Sequence, residues 1–308
     1  MSRFVAIAVG VAITCLTLTT SAQALNTRTW ISGVGIDQAG CGPIANPCRT
    51  LQYAHDNTSA GGEIDVKDSA GYGSVTISKA ISIVGDGSIS GVLGTASADA
   101  IVINAGAADT IVLRGLTIEG AGVATNGVVF NSGGKLDITN CVVQNFTSSG
   151  IRLQPASGSP VFVISNTTAS HNSQIGLWYY PPSQSTAAGT ITIDHVTATD
   201  HPNGSGISLA NANSSGILKA FVSNSLAANN NIGGIFINNA TVMIDLCAAV
   251  SNGIGFNIYS GSVTIGRSTA SNNGTGLSNG GTTLSFRNNQ FSGNTTATSG
   301  TIGTATLN

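Results

Sequence analysis

Charge is scarce in this chain. Of 308 residues only 8% are Asp, Glu, Lys or Arg, and the formal net charge is −2. Such a balance excludes electrostatic capture of nucleic acid or of an anionic membrane surface as the main activity. Aromatic residues make up only 5%, Met and Trp occur twice each, and leucine is sparse. That composition does not suit packed helices. Low charge would indicate disorder in an apolar-poor chain, but 41% of residues are hydrophobic, with Val and Ile throughout, so a core can form. Forty glycines point to many tight turns around a narrow core.

The N-terminus accounts for part of the hydrophobicity. Arg3 precedes the apolar run Phe4 to Leu18, and Ala22-Gln23-Ala24 offers small residues at cleavage positions. Residues 1–24 are expected to be a signal peptide, with the mature chain starting near Leu25. The run is shorter than the roughly 20 residues of a spanning helix, so no integral membrane segment is expected after cleavage. Cys15 follows Thr14 rather than the small residue of a lipoprotein signal. Export, to the periplasm or outside the cell, implies an oxidising compartment. Cys41 and Cys48 in "CGPIANPC" are therefore expected to form a disulfide.

From about residue 61 the sequence repeats one unit: a β-branched run, a small-residue corner, an Asn-rich stretch, then Gly and a second apolar run. Examples are "LDITNCVVQNFTSSGIRL" from 136, "ITIDHVTATDHPNGSGISL" from 191 and "VMIDLCAAVSNGIGFNI" from 242. The Gly opening the second run falls at 150, 176, 206, 234, 255 and 276. Alternation within each run has period two, placing Leu136, Ile138, Ile151 and Leu153 inside and Asp137 and Arg152 outside. One unit cannot bury that face alone, so units must stack, giving about ten coils in a single all-β domain.

The repeats, together with Trp30, "GVGID" ending at Asp37, "NPCRTLQYA" from Asn46, "GGEIDV" from Gly61 and "GYGSVTISKAISIVGDG" from Gly71, resemble the right-handed parallel β-helix proteins of the pectin-lyase-like superfamily. The resemblance implies an entry loop and short capping helix over 25–60, then a single-stranded right-handed parallel β-helix over 61–308. The residues agree: Pro47 suits a helix start, Leu51, Tyr53 and Ala54 supply an apolar face, and Gly61-Gly62 ends the segment. A cap shields the open strand edges of the first coil.

Aligning the inward residues places Asn140, Asn166, His195, Asn224, Leu246, Arg267 and Asn288 at one corner and Asn145, His171, Asp200, Asn229, Ser251 and Asn272 at another. Asn tolerates left-handed backbone there, and its amide can both donate and accept along a stack. The two Asp-His pairs of "ITIDHVTATDH" thus read first as variant rungs of an asparagine ladder. The chemical alternative groups His171, Asp200 and His201 as catalytic candidates on adjacent coils. Three or four ligands for a metal are not in view, so neither metal nor other cofactor is expected. Enzymes of the superfamily use carboxylate clusters with an Arg or Lys base, or paired Asp residues; this chain has no Asp-Asp pair, Gly-His-Gly or Arg-x-Lys. Cys141 and Cys247 share an inward slot four coils apart, too far for a disulfide, and read as buried thiols.

Arg152, Trp178, Ser208 and Phe236 are expected on one outward row, with Tyr180 beside Trp178. Aromatic faces next to a cation suit stacking on sugar rings, so Arg152, Trp178, Tyr180 and Phe236 are the ligand-binding candidates. The functional expectation is an exported β-helix serving as an extracytoplasmic scaffold or glycan-binding surface, with polysaccharide or a cell-surface glycan as partner. The alternatives are a polysaccharide lyase, hydrolase or epimerase, and a subunit of a cell-surface assembly. The polar C-terminus "TIGTATLN" shows no capping helix, leaving the last coil blunted by Thr and Asn or covered by another chain.

Overall fold

The computed structural model describes residues 25–85, 90–212 and 214–306. The expected signal peptide and Cys15 lie outside these residues. No helix among the described residues is long and apolar enough to cross a membrane.

Among the described residues the strands form three sheets, one of twelve strands and two of ten, and every pairing is parallel. Each coil contributes one strand to each sheet. In one such coil these are Lys135–Thr139, the three-residue Val142–Gln144, and Ser149–Leu153. Register is held by stacking like on like: Ile138 pairs with Ile164, Ile164 with Ile193, Ile193 with Val222, and Val222 with Ile244. All five are fully buried. Burying each such side chain contributes about 2 kcal/mol relative to leaving it in water. A one-residue slip would turn the whole row outward, so the register is strongly specified. The chain is a parallel β-helix.

The N-terminal end departs in detail from the sequence reading. The helix spans Leu51–Asn57, and Thr50 is its N-cap, accepting from the Tyr53 backbone N–H. Asp37 fixes that cap by accepting from the backbone N–H of Arg49 and Thr50 and from the Thr50 hydroxyl. Pro47 lies upstream of the cap. Gly61 and Gly62 fall inside the strand Thr58–Val66 rather than ending the helix. The entry segment also supplies a strand, Asn26–Ile31, paired in parallel with that strand. Cys41 and Cys48 form the expected disulfide, with a Cα–Cα distance of 5.0 Å.

Both corners are left-handed. Asn140, Asn166, His195, Asn224, Leu246 and Arg267, and at the second corner Asn145, His171, Asp200, Asn229, Ser251 and Asn272, have φ between 48° and 64°. In the last coil the first corner is Arg287 (φ 59°), not Asn288, whose Oδ1 instead accepts from the Arg267 backbone N–H at 2.9 Å. The amide ladder sits one residue beyond the second corner. Asn230 Nδ2 donates to Asn252 Oδ1 (2.9 Å), Asn252 Nδ2 to Asn273 Oδ1 (3.1 Å), and Asn273 Nδ2 to Asn294 Oδ1 (2.9 Å). Each oxygen also accepts the preceding coil's backbone N–H at the same slot. The left-handed residue reverses the chain so that its successor turns inward.

This ladder explains the glycine row. A Cβ at Gly234 would lie 2.6 Å from the Gly255 carbonyl oxygen and 3.0 Å from both the Asn252 amide and the Ala249 methyl. Gly206, Gly255 and Gly276 meet the ladder amides of the following coils in the same way, at 2.8 to 3.0 Å. The stacked alanines Ala198, Ala227, Ala249 and Ala270 keep the core narrow opposite them. Cys141 and Cys247 are buried thiols as expected, each placed to donate to two backbone carbonyls. Burial pushes the Cys247 thiol up to about 11.

Candidate functional site

The outward row forms on the sheet that contains Ser149–Leu153, Ile175–Tyr179, Ser205–Ala210 and Gly233–Asn238. Arg152 pairs with Trp178, Trp178 with Ser208, and Ser208 with Phe236. Their strand neighbours Ile151, Leu153, Leu177, Tyr179, Ile207, Leu209, Ile235 and Ile237 are 0% exposed, which fixes the row on the outside. The Arg152 guanidinium stacks 4.9 Å from the Trp178 ring centroid. Trp178 and Tyr180 lie ring to ring at 4.7 Å, inclined by 30°. Phe236 faces Tyr259 of the following coil at 6.3 Å.

The relief of the row makes a groove. Ser208 and Ala210 point outward yet are only 3% and 6% exposed, because they are short and stand between taller neighbours. One wall is the Trp178 and Tyr180 pair, the other is Phe236, and Gln174, Asn203, Ile232 and Asn238 complete a groove of about 310 Å³. The walls stand two strand spacings apart, about 9.6 Å between backbones. Among the described residues Tyr180 is the sole titratable side chain lining it; the other polar groups are amides, hydroxyls and the Trp178 indole N–H. Such a lining can stack on a ring and hydrogen-bond its rim, but it offers no proton-transfer pair.

Of the ligand-binding candidates, the structure brings Trp178, Tyr180 and Phe236 to this groove and leaves Arg152 on the preceding coil, against Trp178. The sequence reading missed Ala210, Gln174, Asn203, Ile232 and Asn238. Ala210 and Asn238 were accessible by counting two residues on from Ser208 and Phe236, as Tyr180 is from Trp178; Gln174, Asn203 and Ile232 precede their strands, where loop lengths differ.

The catalytic candidates part company. His171 is exposed at its left-handed corner and borders a second depression, about 600 Å³, with Asn145, Thr147, Ser173 and Pro202. Asp200 occupies the same corner one coil on, where its carboxylate accepts from Asn229 Nδ2 at 3.3 Å. His201 is fully buried in the ladder slot between Asn172 and Asn230. Its Nδ1 lies 3.2 Å from the Asn172 backbone N, and its Nε2 has no hydrogen-bond partner. Burial lowers its pKa to about 4. A substrate arriving from solvent meets His171 and Asp200 but not His201.

The other Asp-His pair is also built into the wall. Asp194 accepts from the Ser223 hydroxyl (2.6 Å) and Asn224 Nδ2 (2.8 Å) on the next coil, and pairs with His195 Nδ1 at 2.7 Å. These hydrogen bonds bring its carboxyl down to about 2. No group of three or more His, Cys, Asp or Glu side chains that could hold a metal ion occurs among the described residues.

No protein-family model matches the chain, and no curated protein matches it. Among solved structures it is similar to the crystal structure of pectate lyase Pel9A, with a TM-score of 0.53 over 87% of this chain and 73% of that one. Sequence identity is 16%, so the likeness concerns the fold. The chain shares with that lyase the parallel β-helix fold.

Proposed function

We propose that this protein is an exported carbohydrate-binding β-helix whose recognition surface is the groove between Trp178, Tyr180 and Phe236. One observation carries the reading: an outward row with aromatic walls encloses two short residues that stay buried without belonging to the core. Sugar rings present C–H faces to aromatic rings and hydroxyls to amides, and the groove offers both partners. The disulfide Cys41–Cys48 fits an oxidising destination, periplasmic or extracellular. The test is affinity electrophoresis through gels containing neutral or uronate polysaccharides. Retardation that disappears in Trp178→Ala supports the reading; equal mobility in every gel contradicts it.

A second reading, catalysis on a polysaccharide by lysis, hydrolysis or epimerisation, takes its motive from the exposed His171 beside its depression and from the shared fold of a pectate lyase. Turnover of any polysaccharide that is abolished by His171→Ala or Asp200→Ala would establish it and displace the binding-only account.

A further inference from the structure

Resting on the carbohydrate-binding reading, we propose that the groove selects a neutral pyranoside, one whose ring carries equatorial hydroxyls, and rejects uronates. The first ground is the charge of the lining. Among the described residues, Gln174, Asn203, Asn238, Ser205, Ser208, Tyr180 and the Trp178 indole N–H supply its polar side-chain groups, and no Asp, Glu, Lys, Arg or His lines it. The nearest cation of the row, Arg152, is engaged by the Trp178 ring, 4.9 Å from its centroid, and is not among the residues that line the groove. A carboxylate carried into a slot with apolar walls and no cation loses hydration that nothing replaces.

The second ground is the symmetry of the walls. Aromatic side chains stand on both sides of the Ser208 and Ala210 floor, so a ring seated there needs two apolar faces. A pyranose with equatorial hydroxyls has them, because its polar groups lie around the rim. At that rim the amides are half used by the protein. Gln174 Oε1 accepts from Ser148, Asn203 Nδ2 donates to Ser173, and Asn238 Oδ1 accepts from Ser260. The opposite end of each amide is the complement a hydroxyl requires: donors from Gln174 and Asn238, an acceptor from Asn203.

The experiment is calorimetric titration of the full mature chain with cellohexaose, xylohexaose, mannohexaose and a β-1,4-linked hexaglucuronate, which differs from cellohexaose only in its C6 carboxylates. Wild type, Phe236→Ala and Asn238→Lys are compared, with circular dichroism confirming that each variant is folded. Cellohexaose or xylohexaose should bind, mannohexaose with its axial hydroxyl more weakly, and the hexaglucuronate not at all. Phe236→Ala should weaken the neutral ligand about tenfold, and Asn238→Lys should confer binding of the hexaglucuronate. Hexaglucuronate binding to wild type as tightly as cellohexaose, and lost in Phe236→Ala, would overturn the charge selectivity while leaving the groove a carbohydrate site. Equal affinity for mannohexaose would overturn the equatorial requirement. Absence of binding by all four, or binding that survives Phe236→Ala unchanged, would overturn this proposal and the carbohydrate-binding reading together.

Discussion

Asn230 and Asn252, one coil apart inside the β-helix, are joined amide to amide at 2.9 Å, and Asn252 Oδ1 also takes the Asn230 backbone N–H at 3.0 Å. Both residues are buried, so every one of these bonds is made away from water. Replacing Asn252 by Ala leaves the Asn230 backbone N–H without its acceptor and the Ala227 carbonyl without its donor. We expect Asn252→Ala to lower the unfolding free energy by about 3 kcal/mol, read from the urea midpoint. An exposed-corner control, Asn229→Ala, should cost about 1 kcal/mol or less.

His201 interrupts that ladder and should make stability depend on pH. Its folded pKa is about 4 against an ordinary 6.5, so the unfolded chain binds the proton more tightly than the folded one. Stability is therefore full above pH 6.5 and is lost as pH falls toward 4, by on the order of 3 kcal/mol. Asp194, held near 2 by its hydrogen bonds, acts in a lower window, below its ordinary 3.8. His201→Asn should flatten the slope of unfolding free energy between pH 6.5 and 4. An unchanged slope would place the titration elsewhere.

Gly234 lacks a side chain because the ladder and the next strand occupy that space. Its absent Cβ would sit 2.6 Å from the Gly255 carbonyl oxygen, and backbone atoms on the neighbouring coil cannot retreat alone. Gly234→Ala is expected to lower the thermal midpoint, at a cost of about 2 kcal/mol. At Gly158 a Cβ would meet nothing within 4 Å, and the obstacle is only a φ of 82°. Ala there should be the milder of the two.

Tyr179 carries a hydroxyl into the core without a partner. It is 0% exposed and packs edge-on against Phe162, whose ring in turn meets Phe130. Burial raises the phenol's pKa to about 12. An unsatisfied buried donor costs about 1 to 3 kcal/mol, so Tyr179→Phe should stabilise the protein in urea unfolding. A loss of stability would mean that the hydroxyl has a partner.

Much of this architecture was readable from the chain. The period-two runs placed Ile138, Ile164 and Ile193 over one another, and the structure stacks them so. The corners were also identified, because left-handed backbone favours Asn and its relatives. Which of two adjacent polar residues turns inward was not readable. In Asn229-Asn230 both are amides, and only the positive φ of the first sends the second into the core. In Asp200-His201 the same geometry separates two residues that look like one chemical group. The row from Arg152 to Phe236 followed from the alternation, but its depth did not. Depth arises from Ser208 and Ala210 being short between tall neighbours, a contrast across three coils that no single repeat displays.

The groove itself is tested most directly by hydroxyl-radical footprinting of the protein with and without cellohexaose. The account predicts that the sugar protects Trp178, Tyr180 and Phe236 and leaves His171 and Pro202 as reactive as before. Protection centred on His171 and Pro202, with Trp178 and Phe236 unchanged, would contradict it.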